Sequence, residues 1–271
     1  MNCKICGSPS EKIFEKDILK HYHSAYYKCG SCFFVQTDEP VWIEEAYKSA
    51  ITQLDIGLLN RNMRMINAIP KIIDACFPES KIMLDYAGGY GTFTRLMRDH
   101  GYNFYRQDPY CENLFANHFD ITDLTITTFD LLTAFEVFEH FVDPLPEIEK
   151  LFKYSESIII STELTPDTNQ ELENWWYLST ETGQHVAFYA AETMKYLAKK
   201  YNKQYYSKGR SLHVFTPKKL SSDQVDYAFH DHNYKESLFG LVKKPYDFGI
   251  SRTSLIEKDY QFVSEKIKTS F

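Results

Sequence analysis

Residues 84–110 read LDYAGGYGTFTRLMRDHGYNFYRQDPY, with three glycines inside four positions and an aspartate near each end. The run KIMLDYA that leads into them is short and apolar, as a strand buried on both faces is. Gly88, Gly89 and Gly91 then allow positive φ angles in a tight turn. A helix follows, with Phe93, Leu96 and Met97 on one face and Gly101 as its stop. YNFYRQDP reads as the next strand. A strand, a helix and a strand in so short a span imply parallel strands joined by a crossover, which fixes the class as α/β.

The same alternation continues along the chain. QTDEPVWIEEAYKSA is a linker running into a helix, and LLNRNMRMINAIPKIIDACF has apolar residues at helical spacing, with Pro70 expected to kink or split it. FDLLTAFEVF is a strand, Asp143 and Pro144 open a helix bearing Ile148, Leu151 and Phe152, and SESIIIST is a strand again. AAETMKYLAKKY is amphipathic through Met194, Leu197, Ala198 and Tyr201, and KQYYSKGRSLHVFTP reads as a hairpin turning at 208–210. The pattern predicts a parallel sheet covered on both faces, followed from residue 218 by a poorly periodic, helical tail.

With 271 residues, 44% of them hydrophobic, the chain supports one large domain and an appendage. The expected division is 1–40, a zinc-binding module; 41–217, the main domain; and 218–271, the tail. No apolar run reaches the roughly eighteen residues of a membrane span, and the N-terminus lacks the charged and apolar segments of a secretory signal. A cytoplasmic protein with no membrane partner is expected. A net charge of -7 argues against neutralising a phosphate backbone, so nucleic acid is an unexpected partner.

Cys3, Cys6, Cys29 and Cys32 form two C-x2-C pairs with 22 residues between them. Four thiolates presented this way close the tetrahedron of a structural zinc, and disulfides are the alternative that a reducing compartment disfavours. His21 and His23, between the pairs, are alternative ligands. Residues 1–50 carry six lysines and seven acids, a poor footprint for gripping nucleic acid. The module reads as a metal-stapled element that packs on the main domain or shapes a substrate entrance.

Ligands of open parallel sheets sit outside the carboxyl ends of the strands, where the glycine turn lies. A dinucleotide fingerprint requires glycine or alanine where Thr94 stands, and no Gly-Lys-Ser/Thr follows for a phosphate loop. Asp85-Tyr86-Ala87-Gly88-Gly89-Tyr90-Gly91 resembles instead the first motif of class I S-adenosylmethionine-dependent methyltransferases, with alanine at the first glycine position. The resemblance implies a Rossmann-like, mostly parallel seven-stranded sheet with helices on both faces, preceded here by a zinc-ribbon-like module. It places Asp108 on both ribose hydroxyls, a pairing that a carboxylate suits, and Asp85 near the methionine end. FDLLTAFEVFEHFVDP resembles the family's fourth strand and following loop, so that Glu136, Glu139 and His140 edge the cofactor cleft. Phe119 and Asp120 fall where the adenine pocket is built. The expected cofactor set is Asp85, Ala87, Gly88, Gly89, Gly91, Asp108, Phe119, Asp120, Glu136 and His140.

Methyl transfer requires an aligned acceptor and, where the acceptor carries a proton, a base. ENWWYLSTETGQHVAFY, residues 173–189, offers His185 for that role, or else a histidine satisfied by backbone or a nearby acid. Glu181 and Glu163 are carboxylate candidates, and Trp175, Trp176 and Tyr177 form either an aromatic wall or core. Together with the cysteines, this segment resembles a bacterial family that includes deoxysugar C-methyltransferases and other glycan or secondary-metabolite enzymes, over residues 1–216. The expected activity is S-adenosylmethionine-dependent methylation of a small-molecule or glycan acceptor. An RNA methyltransferase is the alternative enzyme, although an N/D-P-P-Y/F motif is missing; a non-catalytic zinc and nucleotide-binding scaffold is the alternative from another class.

Overall fold

The computed structural model describes residues 1–49, 51–236 and 243–269. It divides into two compact units, Met1–Asp55 with Ala134–Lys219, and Ile56–Thr133 with Leu220–Phe271. In the first unit, β1 (Ser10–Ile18) and β2 (Tyr22–Cys29) pair antiparallel, and β3 (Val35–Thr37) adds to β2. A short helix, α1 (Ile43–Ala46), follows. The segment between the cysteine pairs is therefore a hairpin. Its first strand slips register between Lys12 and Phe14, which breaks the two-residue alternation that would have marked it.

The second unit begins with α2 (Leu58–Cys76), which runs unbroken through Pro70. Met65, Ile66, Ile69, Ile72 and Ile73 are buried along one face, and that burial outweighs a single lost helix hydrogen bond. The predicted strand, helix and strand follow as β4 (Met83–Tyr86), α3 (Thr92–Asp99) and β5 (Phe104–Gln107), with β4 and β5 parallel. β6 (Leu131–Phe135) begins in this unit and ends in the first.

Back in the first unit come α4 (Pro144–Tyr154), β7 (Ile158–Ser161), α5 (Asn169–Glu173), β8 (Ala187–Phe188) and α6 (Ala191–Lys200). The hairpin β9 (Gln204–Lys208) and β10 (Leu212–Thr216) closes it. β8 pairs with β3, and a core of Phe14, Ile18, Tyr26, Trp42, Tyr177 and Phe188 gathers beside this small sheet. The larger sheet has the order β5-β4-β6-β7-β10-β9 and is mostly parallel, with β10 antiparallel to both neighbours. It holds six strands among the described residues rather than the expected seven. Beyond β5 the described residues form one parallel bridge, Arg106 to Asp120, in place of a further strand.

The tail supplies α7 (Ser222–Phe229), a small hairpin of β11 (Tyr234–Glu236) and β12 (Lys243–Pro245), and α8 (Ile256–Thr269). It is built into the second unit by specific contacts. Gln224 Nε2 donates to the Ala75 carbonyl at 2.6 Å, and Asp259 accepts from Arg95 and Arg98 at 2.7 to 2.8 Å. No described helix is long and apolar enough to cross a membrane.

Candidate active site

The glycine turn lies in the second unit, between β4 and α3. Asp85, near the end of β4, is buried, and its carboxylate accepts from the Thr94 hydroxyl at 3.2 Å and the Thr133 hydroxyl at 3.0 Å. Burial raises its pKa to about 7 against the pull of those hydrogen bonds. Ala87 stands at the first glycine position with φ of 54°, in the left-handed region that an alanine enters at some cost. Gly91 has φ of 82° and caps α3; a Cβ there would lie 2.6 Å from Asn113 Oδ1.

Arg106 braces this turn, a role the sequence did not disclose. Its guanidinium donates to the Gly89 carbonyl, to the Cys111 carbonyl at 3.0 Å and to Asp120 Oδ1 at 2.6 Å. Its stem, with Asp85, occupies the place of a Gly88 side chain, since a Cβ there would meet Asp85 Oδ2 at 2.6 Å and Arg106 Cγ at 2.8 Å. Gly88 is thus required by packing within the protein. The readable signal was a cation directly after the two aromatic residues that open β5.

Asp108 follows β5 and clasps the turn. Its Oδ2 accepts from the Gly89 amide at 2.9 Å, and its Oδ1 from the amides of Tyr110 and Cys111 at 2.9 and 3.0 Å. A carboxylate accepts about four hydrogen bonds, so some capacity remains. Beside it, Gln107 Oε1 is buried and has no hydrogen-bond partner. A carboxylate with acceptor capacity left at the carboxyl end of a strand suits the vicinal hydroxyls of a ribose, so the residues present are compatible with the expected nucleoside cofactor.

Phe119 is buried and Asp120 half-buried, each held by other side chains. Phe119 is buried under the Arg98 guanidinium, 3.7 Å from its ring centre, with Phe262 of α8 at 5.8 Å. Asp120 is held by Arg106 and Asn113 and caps the short turn at Ile121–Asp123.

In the first unit, the loop after β6 gathers a second cluster. Glu136, at φ of 53°, accepts from the Ser161 hydroxyl at 2.5 Å and from the Tyr177 hydroxyl at 3.0 Å. Glu139 is fully buried; its Oε1 accepts from the Tyr177 hydroxyl at 2.7 Å, while its Oε2 has no hydrogen-bond partner. Burial, with the neighbouring Glu136 charge, pushes its pKa well up. The His185 ring joins this cluster, 4.9 Å from the His140 ring and 4.7 Å from that of Tyr177. His185 Nδ1 lies 2.7 Å from the Tyr177 carbonyl, and His140 Nδ1 lies 3.2 Å from the Gln184 carbonyl and 2.8 Å from the Tyr47 hydroxyl. A carbonyl only accepts, which assigns the proton to Nδ1 in both rings and the lone pair to Nε2.

Glu181 does not join that cluster. It is exposed on the preceding turn, and its carboxylate accepts from the Thr180 hydroxyl at 3.5 Å. The aromatic run divides: Trp176 is 76% exposed, Trp175 packs on Tyr177 and Phe188, and Tyr177 is buried as the donor to both glutamates.

The four cysteines of the first unit converge. Cys3 and Cys32 sulfurs are 3.6 Å apart, those of Cys6 and Cys29 3.4 Å, and all four lie within 4.8 Å of one another. Zinc–sulfur bonds of about 2.3 Å put tetrahedral sulfurs about 3.8 Å apart, so the set suits zinc, and the spacing is far beyond the S–S bond of roughly 2.05 Å in a disulfide. The amides of Ile5 and Ser31 donate to Cys3 and Cys29 sulfur at 3.4 and 3.3 Å, a second layer suited to thiolates. His23 is instead held by Asp17 and Glu15 on the β1–β2 hairpin.

Solved structures similar to this chain include methyltransferases. Magnesium protoporphyrin IX methyltransferase ChlM from Synechocystis PCC 6803, with bound SAH, is 10% identical, covers 64% of this chain and 90% of its own, and has a TM-score of 0.44. The plantazolicin methyltransferase BpumL, in complex with SAH, is 11% identical over 66% of this chain and 95% of its own, with a TM-score of 0.42. The mitomycin 7-O-methyltransferase MmcR is 13% identical over 64% of this chain and 58% of its own, with a TM-score of 0.41. No curated protein sequence matches. A family model described as a methyltransferase domain matches residues 59–208, more than half of the chain, and the chain belongs to that family.

Proposed function

We propose that this protein transfers a methyl group from S-adenosylmethionine to a small-molecule acceptor of the sugar, glycan or secondary-metabolite kind. The observation that carries this reading is the glycine turn clasped by Asp108 at the carboxyl end of β5, inside the segment that the methyltransferase model matches. S-adenosylmethionine, when bound, supplies a methyl made electrophilic by its sulfonium. Asp108 would accept from the ribose hydroxyls, Asp85 would lie toward the methionine end, and Ala87, Gly88, Gly89 and Gly91 would form the turn beside them. Arg106 holds that turn in shape.

The first-unit cluster handles the acceptor. His185, with its lone pair assigned to Nε2 by the Tyr177 carbonyl, takes up the acceptor's proton. Cys3, Cys6, Cys29 and Cys32 would hold one closed, structural zinc, as suits a reduced, cytoplasmic setting. The test is formation of the demethylated cofactor over a panel of sugar nucleotides, glycans and phenols. His185→Gln is expected to slow turnover by roughly 10²- to 10⁴-fold and Glu181→Gln to leave it unchanged. Absence of turnover across the panel, with no cofactor bound by the purified protein, would remove the reading.

A further inference from the structure

Glu139, His140 and His185 each offer one ligand atom, and the three atoms lie within 4.8 Å of one another. A divalent ion bound through contacts of about 2.1 Å spreads its ligands roughly 3 to 4 Å apart, so small movements close the set around one ion. Both imidazoles already have the form that metal-bound histidines take. Nδ1–H of His185 donates to the Tyr177 carbonyl at 2.7 Å and that of His140 to the Gln184 carbonyl at 3.2 Å, fixing the rings with the lone pair on Nε2.

Glu139 supplies the independent sign. It is fully buried, its Oε1 is steadied by the Tyr177 hydroxyl at 2.7 Å, and its Oε2 has no hydrogen-bond partner. A buried carboxylate oxygen without a donor is costly, and a cation offsets that cost. We propose that Glu139, His140 and His185 bind a first-row divalent metal ion, separate from the zinc of the cysteines. Two imidazoles and one carboxylate leave coordination positions open, as catalytic sites do and four thiolates do not. In the loaded protein, His185 would hold the ion instead of taking a proton, and the ion would hold an oxygen of the methyl acceptor, whose acidified hydroxyl would lose its proton to water before transfer. That role rests on the methyl-transfer reading above; the binding does not.

The probe is cobalt(II), added to the 271-residue protein with its cysteine site first loaded with zinc. The expected result is one further cobalt per chain, with weak visible absorption and no sulfur-to-metal charge-transfer band. Glu139→Gln and His140→Ala are each expected to weaken uptake at least about tenfold, and Tyr177→Phe, which keeps the ring but frees the carboxylate, by about 10- to 100-fold. Circular dichroism identifies variants that fold. No uptake at millimolar cobalt, uptake undiminished in folded Glu139→Gln and His140→Ala, or a signal carrying the sulfur band would overturn the site. Calorimetry with SAH on the same preparation reports donor binding separately, so protein that binds SAH but no cobalt refutes the metal site alone.

Discussion

The hydroxyl of Tyr177 donates to Glu139 Oε1 at 2.7 Å, while the carbonyl of the same residue accepts from His185 Nδ1 at 2.7 Å. One buried tyrosine therefore orients both the acid and the imidazole of the acceptor-side cluster. Tyr177→Phe is expected to leave the fold intact and to lower stability by about 1 to 3 kcal/mol, the cost of stripping a donor from a buried carboxylate. Urea unfolding with circular dichroism measures it; an unchanged midpoint would mean that the tyrosine does not support Glu139.

The cysteine site predicts one zinc per chain in freshly purified, reduced protein. Cys3→Ser or Cys29→Ser is expected to lose the metal and, with it, amide-exchange protection in β1 and β2, because a structural zinc supplies folding energy. Elemental analysis and hydrogen exchange read both effects. Full protection in a metal-free variant would show that the hairpin stands without the ion.

Asp85 predicts a pH dependence. Its carboxyl keeps its proton in the folded protein up to about pH 7, because burial raises its pKa, whereas the unfolded chain releases that proton near pH 4. Between those values the folded state binds more protons, so this group takes stability away as pH rises and reaches its full cost above about pH 7. Asp85→Asn cannot ionise. Its melting temperature is expected to exceed that of the parent at about pH 8, with the gap closing toward about pH 4. A gap that does not change with pH would contradict the assignment.

The tail is tied down by charge. Arg98 and Asp259 side chains are 4% and 5% exposed and meet at 2.7 Å, with Arg95 adding a contact at 2.8 Å. Burial acts to raise the Asp259 pKa, but the two guanidiniums hold it below the usual aspartate range. Its contribution is therefore present above about pH 4 and lost as pH falls through its lower, folded value. Asp259→Ala is expected to cost about 3 to 5 kcal/mol and to release α8, because Arg98 would be left buried and unpaired. Denaturant unfolding and exchange across Ile256–Thr269 test this; a loss within about 0.5 kcal/mol would show the pair to be idle.

The α/β layout was legible because each signal was local: an apolar run, a glycine turn, a proline at a helix start and a glycine at a helix end. The cysteine spacing was legible for the same reason. The β1–β2 hairpin was not, since a bulge broke its alternation, and β3 and β8 are too short to leave a pattern. His185 was readable as a candidate, but its company was not: His140 and Tyr47 reach the cluster from distant segments. Arg106 was missed because its partners, Gly89, Cys111 and Asp120, converge only in the fold. Phe119 matched a family position, yet Arg98 and Phe262 enclose it.

Donor binding at the glycine turn is tested most directly by titration of SAH into the purified protein by calorimetry. One site per chain is expected, with affinity weakened at least about tenfold in folded Asp108→Ala, as suits loss of hydrogen bonds to a charged group. No heat of binding, or an equal affinity in Asp108→Ala, would contradict it.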